Sequence, residues 1–220
     1  MQAGYRLDWD EIDTVLVDMD GTLLDLAFDN FFWLELVPAR YAERHGLPRE
    51  EAEAVIKERS ARVAGRLPWY CVEHWTRELD LDIKSLKRAH RHLIRYLPGA
   101  REFLAAVRAR GKPLAIVTNA HRETLAVKRE QTGIDRHVDA IVCSHDLRAP
   151  KEHRDFWTAL GERRPFDPRR TLLIEDSLTV LETARAFGVR HTIAIRRPDS
   201  RQPPRAIAGF ASVEGVAELI

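Results

Sequence analysis

Thr14-Val15-Leu16-Val17-Asp18-Met19-Asp20-Gly21-Thr22 is the stretch that decides the fold. Its first four residues are apolar and β-branched-rich, the composition of a buried strand. The strand ends on two carboxylates, Asp18 and Asp20, followed at once by Gly21 and Thr22. In an open α/β sheet, ligands bind just outside the carboxyl ends of the strands. Two acids one residue apart inside a strand would face opposite sides of the sheet, and both would resist burial. Just past the strand's end, where the chain coils away, both can turn toward one cation or phosphate. Taken alone, the pentad also fits a polar strand end running into a glycine turn.

Beyond this strand, residues 26–97 read as helices only. Phe28, Phe31, Phe32, Leu34, Leu36 and Val37 form an apolar face, closed by His45-Gly46-Leu47-Pro48. Further helices are expected over 49–65, 69–79 and 82–96, with Pro68 and Pro98 as punctuation. A strand–helix alternation then follows. Strands are expected at 114–118, 140–144, 171–175 and 192–195, and helices at 99–110, 121–131, 152–160 and 178–187. Residues 196–208 are rich in Pro and Arg and read as loop, ahead of a short helix near 213–219. Such alternation predicts an α/β fold, a Rossmann-like parallel sheet with helices on both faces.

Composition narrows the class. A chain of 220 residues, 45% of them hydrophobic, holds one large domain or a core with a modest insertion. With 35 basic and 34 acidic residues the net charge is +1, which gives no reason to expect nucleic acid or membrane partners. The two cysteines, Cys71 and Cys143, are far apart and lie in no CxxC context, so they read as idle thiols in a reducing compartment. No apolar leader opens the chain and no run approaches membrane-spanning length, so a cytoplasmic location is expected.

Asp18-Met19-Asp20-Gly21-Thr22 after a hydrophobic strand resembles the first motif of the haloacid dehalogenase-like (HAD) phosphohydrolases. The resemblance implies that Asp18 is the nucleophile that takes up the phosphoryl group, that Asp20 is the acid/base, and that Mg²⁺ sits between them. That chemistry needs these residue types. A carboxylate nucleophile divides one hard displacement into two, and a second carboxyl protonates the leaving alkoxide and then deprotonates water. The cation offsets repulsion between carboxylate and phosphate. Three further sites at strand ends resemble the remaining motifs. Thr118-Asn119 follows Leu-Ala-Ile-Val, and its hydroxyl would donate to phosphoryl oxygens. Lys151, in Ala149-Pro150-Lys151-Glu152, stands where an ammonium would neutralise the phosphoryl group, although the family often shows Lys-Pro there. Glu175-Asp176 after Thr-Leu-Leu-Ile resembles the acidic motif that supplies metal ligands. The Asp18 carboxylate, the Asp20 carbonyl, Asp176 and Glu175 would then serve the metal. The helical block falls where this family inserts its α-helical cap, which assigns 1–25 and 98–220 to the catalytic core and 26–97 to the cap.

A Rossmann oxidoreductase would need a glycine-rich turn after the first strand, and no GxGxxG occurs. The dehalogenase branch lacks the second acid, so Asp20 argues for phosphate chemistry. A phosphatase or phosphomutase for sugar phosphates stays open, as does a catalytically silent HAD-fold binding module. Leu23-Leu24-Asp25-Leu26-Ala27-Phe28-Asp29-Asn30-Phe31-Phe32-Trp33 is similar to the bacterial GMP/IMP 5′-nucleotidase branch, as are Trp69-Tyr70-Cys71, Thr118-Asn119-Ala120-His121, Leu125-Ala126-Val127-Lys128 and Pro150-Lys151-Glu152. This implies a phosphomonoester substrate, a purine nucleoside monophosphate. Phe28, Phe31, Phe32, Trp33, Trp69 and Tyr70 are more aromatics than a small helical bundle needs, and one can stack on a purine. Phe32 and Trp33 are the first candidates against the base. Asp29 is the candidate acceptor from the purine N1–H, or else a helix N-cap, and Asn30 and His121 are further polar candidates near the site.

Overall fold

A computed structural model of the protein describes residues 7–220. Residues 1–6, part of the stretch read as lacking an apolar leader, lie outside the described residues. Six parallel strands form one sheet: β1 (Thr14–Val17), β2 (Leu114–Thr118), β3 (Ala140–Cys143), β4 (Thr171–Glu175), β5 (His191–Ile195) and β6 (Ala211–Val213). Their order is β3-β2-β1-β4-β5-β6, so β1 lies between β2 and β4. Val17 pairs with Ile116 on one side and Ile174 on the other. The chain therefore moves outward from β1 in both directions, which places the crevice at the carboxyl end of β1.

The period-two alternation of the strands sorts the core into two layers. Val15, Val17, Ile116 and Ile174 face one layer, and Leu16, Ala115, Val117 and Leu173 face the other. On the second face α10 (Arg154–Arg163) and α11 (Leu178–Phe187) bury Phe156, Trp157, Leu160, Val180, Leu181 and Ala184. On the first face α7 (Ala100–Ala109) buries Phe103, Leu104 and Val107, and α8 (Arg122–Thr132) buries Leu125 and Val127. A short α9 (Ser144–Leu147) begins where strand had been expected to continue.

Between β1 and β2 the chain is helical: α1 (Ala27–Phe31), a π-helical stretch Phe32–Leu36, α2 (Val37–His45), α3 (Arg49–Val63), α4 (Leu67–Tyr70), α5 (Val72–Leu79) and α6 (Ile83–Ala89). Pro38 explains the π stretch. It has no N–H to offer the Leu34 carbonyl one turn back. The ladder widens there, with the Val37 amide donating to Phe32. The freed Leu34 carbonyl accepts from the Arg49 guanidinium at 3.1 Å instead.

The structure corrects four expectations. The helix expected over 69–79 is broken at Cys71, which is extended (φ −83°, ψ 120°). The helix expected over 82–96 ends at Ala89, because the returning chain must pair with the outgoing one. The Asp25 amide donates to Arg95 and the Leu97 amide to Leu23, each at 2.9 Å, and Leu24 bridges Tyr96 antiparallel. β6 was not anticipated, being only three residues long and at the sheet's edge. The helix expected near 213–219 is a single 3₁₀ turn, Val216–Leu219.

Phe103 is fully buried between α7 and the sheet. Phe103→Ala should lower stability by about 3–5 kcal/mol, read as a shift in the urea midpoint at unchanged slope.

Candidate active site

Asp18 leaves the end of β1 with its amide still bonded to the Ile174 carbonyl at 2.9 Å, so the central pairing fixes its backbone. Its carboxylate accepts from the Lys151 ammonium. The turn that follows depends on Gly21, whose φ of +85° suits glycine and whose amide donates to Leu24 at 2.7 Å. A Cβ on Gly21 would stand 2.8 Å from Oδ2 of Asp176. The Asp18–Thr22 turn can therefore lie directly against the loop after β4 only because residue 21 has no side chain.

Lys151 follows β3 and α9 and is buried. Besides Asp18, its ammonium donates to Glu175 Oε2 at 2.6 Å and to the Val117 carbonyl at 3.2 Å. Those three acceptors use all of its protons. Its backbone is held as firmly. The Lys151 amide donates to Asn119 Oδ1 at 3.0 Å, and the Lys151 carbonyl accepts from the Trp157 indole at 2.9 Å. Asn119 also donates to Glu152 at 2.9 Å, and Glu152 accepts from the Tyr70 hydroxyl across from the helical block. Thr118 is buried at the end of β2, its Oγ1 accepting from the Ala120 amide at 3.0 Å.

Carboxylate oxygens of Asp18, Glu175 and Asp176 lie within 4.8 Å of one another. Glu175 is the most committed of the three, because its other oxygen accepts from the Asp176 and Ser177 amides at 3.2 and 3.1 Å. Burial, then the charge of Glu175, pushes the Asp18 carboxyl up to about 8 despite Lys151. Burial likewise raises Glu175 to about 7, and burial followed by the charge of Asp18 raises Asp176 to about 6. Asp18, Asp20, Asp29 and Glu175 are ion-paired with the ammonium groups of Lys87, Lys128 and Lys151, while among the described residues Asp176 has no ion pair. The uncompensated charge and the oxygen-only donor set fit a hard divalent cation such as Mg²⁺.

Asp20 and Asp29 share a second buried ammonium. Lys128 of α8 donates to Asp20 Oδ1 and Asp29 Oδ2, both at 2.6 Å, and Lys87 of α6 reaches Asp29 Oδ1 at 3.2 Å. Burial would raise Asp29, but Lys128 and then Lys87 outweigh it and hold the carboxyl below its usual range. For Asp20 burial prevails over Lys128, and its carboxyl is raised. Neither lysine was singled out from the sequence as a site residue, yet each left a signal. Lys128 stands one turn from Thr124 and Leu125, and Lys87 one turn from Ile83, at positions where a buried stripe calls for apolar side chains.

Two expectations for the substrate side are corrected. Asp29 lines the pocket, but both its oxygens are taken by lysines, and it does not cap α1. Its charge is already shared between two ammonium groups, which makes it a weaker acceptor for a purine N1–H than a free carboxylate. Phe32 is 0% exposed, with the Lys87 ammonium 4.2 Å from its ring centroid, so it lies beneath the pocket wall and cannot stack on a base. Trp33 and His121 do line the pocket, as do Trp69 and Tyr70. Asn30 lines it too, while its amide donates to Asp199 at 2.8 Å. The pocket, of about 930 Å³, runs from Asp18 and Asp176 up to the aromatic walls of the helical block. That is ample for a drug-sized ligand.

A central parallel sheet carrying paired acids after its first strand, with a buried lysine joining the first of them to an acidic strand end, defines a hydrolase class. The chain belongs to the haloacid dehalogenase-like hydrolases, whose family model matches residues 12–188, and it is an enzyme of that family. Over 197 residues it is 41% identical to the GMP/IMP nucleotidase YrfG of Escherichia coli K12, covering 89% of this chain and 88% of that one. It is 32% identical to a phosphoglycolate phosphatase of Nitrosospira multiformis over 191 residues, 80% of each chain. Its fold matches the crystal structure of a HAD phosphatase from Thermococcus onnurineus with a TM-score of 0.77 at 21% identity, over 94% of this chain and 95% of that one. Among the described residues no helix is long and apolar enough to cross a membrane.

Gly21→Ala should force the turn away from Asp176, which its Cβ would meet at 2.8 Å. A lower melting temperature is expected, together with a Mg²⁺ half-saturation concentration raised at least about tenfold, equivalent to about 1.4 kcal/mol. Wild-type Mg²⁺ dependence in this variant would show that the close approach has no part in the site.

Proposed function

We propose that this enzyme is a Mg²⁺-dependent phosphomonoester hydrolase that works through an aspartyl-phosphate on Asp18, with GMP and IMP as substrates. The observation that carries the reading is the convergence of Asp18, Asp176 and Glu175 on one point beside the Lys151 ammonium. Asp18 and Asp176 would hold the cation together with the Asp20 carbonyl, and Glu175 completes the anionic side. When bound, Mg²⁺ supplies charge that lets a phosphate dianion approach these carboxylates.

In the first step Asp18 attacks phosphorus and the ester P–O bond breaks, the leaving oxygen taking its proton from Asp20. In the second, Asp20 takes a proton from water, the water oxygen attacks phosphorus, and phosphate leaves Asp18 free. Thr118 holds a phosphoryl oxygen, and the Lys151 ammonium neutralises the phosphoryl charge, donating to it only by giving up one of its three present acceptors. Asn119 acts one position removed, because its side chain fixes the Lys151 backbone. The helical block, residues 26–97, is the cap that closes over the substrate.

Substrate choice rests on the nucleotidase relative and on the aromatic walls. Trp33 lies against Trp75 at 5.6 Å between centroids and presents to the pocket, where a purine can stack on it. GMP and IMP share a 6-oxo group and a protonated N1, which AMP lacks. A pocket group that accepts from N1–H would be left unpaired by AMP, and such sites discriminate strongly.

The test is kcat/KM for GMP, IMP, AMP and a panel of sugar phosphates, with Mg²⁺ and with excess EDTA. GMP and IMP should lead and EDTA should abolish turnover. A preference for a sugar phosphate overturns the nucleotide assignment, and full activity in chelator overturns the metal-dependent mechanism. Asp18→Asn should form no phosphoenzyme. Asp20→Asn should lose about 10²–10⁴-fold with GMP but far less with p-nitrophenyl phosphate, whose leaving group needs little protonation. Identical responses of the two variants to leaving-group pKa would reject the division of roles.

Lys128→Met removes the ammonium shared by Asp20 and Asp29 and leaves two carboxylates facing each other. It should destabilise the fold by about 3–5 kcal/mol, measured by denaturant unfolding. Lys128→Arg should restore part of that loss.

A further inference from the structure

A second group of ligand-type side chains reaches the pocket wall through His121 and takes no part in the two hydrolytic steps just described. We propose that Cys71, His121 and His145, with Glu73 as fourth donor, form a site for a borderline-soft divalent cation of the zinc type. Sulfur and nitrogen donor atoms from the first three lie within 4.8 Å of one another. Tetrahedral zinc needs ligand atoms separated by roughly 3.3–3.8 Å, from bonds of about 2.0–2.3 Å, so modest side-chain rotation closes the set.

The backbone brings these residues together from distant parts of the chain. The break between α4 and α5 at Cys71 turns that residue out of the helical ladder. His121 is the extended N-cap of α8, and His145 sits in the single turn of α9 after β3. Glu73 already bridges two of the three, its Oε2 3.0 Å from His121 Nε2 and 3.4 Å from Cys71 Sγ. The two imidazoles meet edge to face, with centroids 4.7 Å apart and planes at 88°.

Simple polar packing accounts for His121, Glu73 and Cys71, which bond one another. It does not account for His145. Its Nε2 is buried and makes no hydrogen bond of normal length and angle among the described residues, although the Leu67 backbone lies close to the ring. Its other nitrogen lies 3.9 Å from Cys143 Sγ, a weak contact at best. A buried ring nitrogen without a partner costs free energy unless something with an empty orbital or a proton fills the space. Burial, reinforced by neighbouring His121, holds His145 neutral down to about 4, and burial also lowers His121. Both rings are therefore neutral at ordinary pH, the form that binds metal. Cys71 would give its proton to solvent as the thiolate–metal bond forms. Three contacts change: the bonds that Glu73 accepts from His121 Nε2 and Cys71 are replaced by bonds to the metal, and the long 3.4 Å bond from the Glu123 amide to His121 Nδ1 is lost, because Nδ1 must carry the proton once Nε2 binds metal.

The donors separate this site from the catalytic one. Thiolate and imidazole select zinc-like ions, whereas the all-oxygen cluster at Asp18 and Asp176 suits Mg²⁺. Bound metal would join Cys71 and Glu73 of the helical block to His121 and His145 of the sheet loops. The inference does not depend on which phosphomonoester is hydrolysed.

Co²⁺ is the probe, added to metal-free protein in a large excess of Mg²⁺ to keep the carboxylate site filled. Wild type should bind about one equivalent with a thiolate-to-cobalt charge-transfer band and the intense visible bands of tetrahedral cobalt. Cys71→Ser should abolish the charge-transfer band, and His145→Gln should weaken Co²⁺ and Zn²⁺ binding at least about tenfold. Both variants should keep Mg²⁺-dependent turnover in zinc-free buffer, which shows that they fold and separates this test from that of the hydrolase reading. Zn²⁺ should raise the melting temperature of wild type more than that of Cys71→Ser. Absence of a charge-transfer band in wild type, or its survival in Cys71→Ser, overturns the proposal.

Discussion

Everything at the floor of the pocket hangs on one buried ammonium. Lys151 touches Asp18 after β1, the Val117 carbonyl of β2 and Glu175 at the end of β4, so it ties together the ends of three adjacent strands. Removing a charge from water is expensive, and the contact is tolerable only because every donor has an acceptor. That requirement propagates outward. Trp157 and Asn119 must hold the Lys151 backbone, Glu152 must hold Asn119, and Tyr70 of the helical block reaches Glu152. A side chain of the inserted helices is thus connected to Asp18 through a continuous series of hydrogen bonds.

The second ammonium, on Lys128, does for Asp20 what Lys151 does for Asp18. The difference is that its other partner, Asp29, belongs to the inserted helices, as does Lys87 behind it. Each acid of the pair after β1 therefore has its own lysine. One lysine is anchored within the sheet and the other is shared with the helical block. Two chemically similar carboxylates, one residue apart, are held in different electrostatic surroundings, as the acid/base and nucleophilic roles proposed for them require.

The sheet was legible because its strands are short apolar runs bounded by turn residues. β2, β4 and α11 have the bounds read from the sequence, since Gly, Pro, Asn or charged residues punctuate them on both sides. The strand ends bearing Asp18, Thr118 and Glu175 could be located for the same reason. What escaped were features set by contacts between distant residues. The helix break at Cys71 follows no glycine, and the early end of α6 follows from pairing between Leu24 and Tyr96. Phe32 and Asp29 looked like substrate-facing groups because sequence cannot show that Lys87 packs on one and pairs with the other. β6 is too short to carry a periodic signal.

The pairing of the outgoing and returning chains at Leu24 and Tyr96 bears on how this molecule folds and diversifies. β1 finds its neighbour β2 only after the entire helical excursion has been made. Because that excursion leaves and re-enters at one point, the sheet experiences it as a single closed loop. Each doubling of such a loop adds only about 0.6 kcal/mol of closure entropy. The sheet is therefore nearly indifferent to how many helices the loop holds or how they are arranged. Helices can be lengthened, exchanged or reshaped there while the strand ends keep their register, so recognition can change with little effect on the sheet as long as Asp29 and Tyr70 keep their contacts with Lys128 and Glu152.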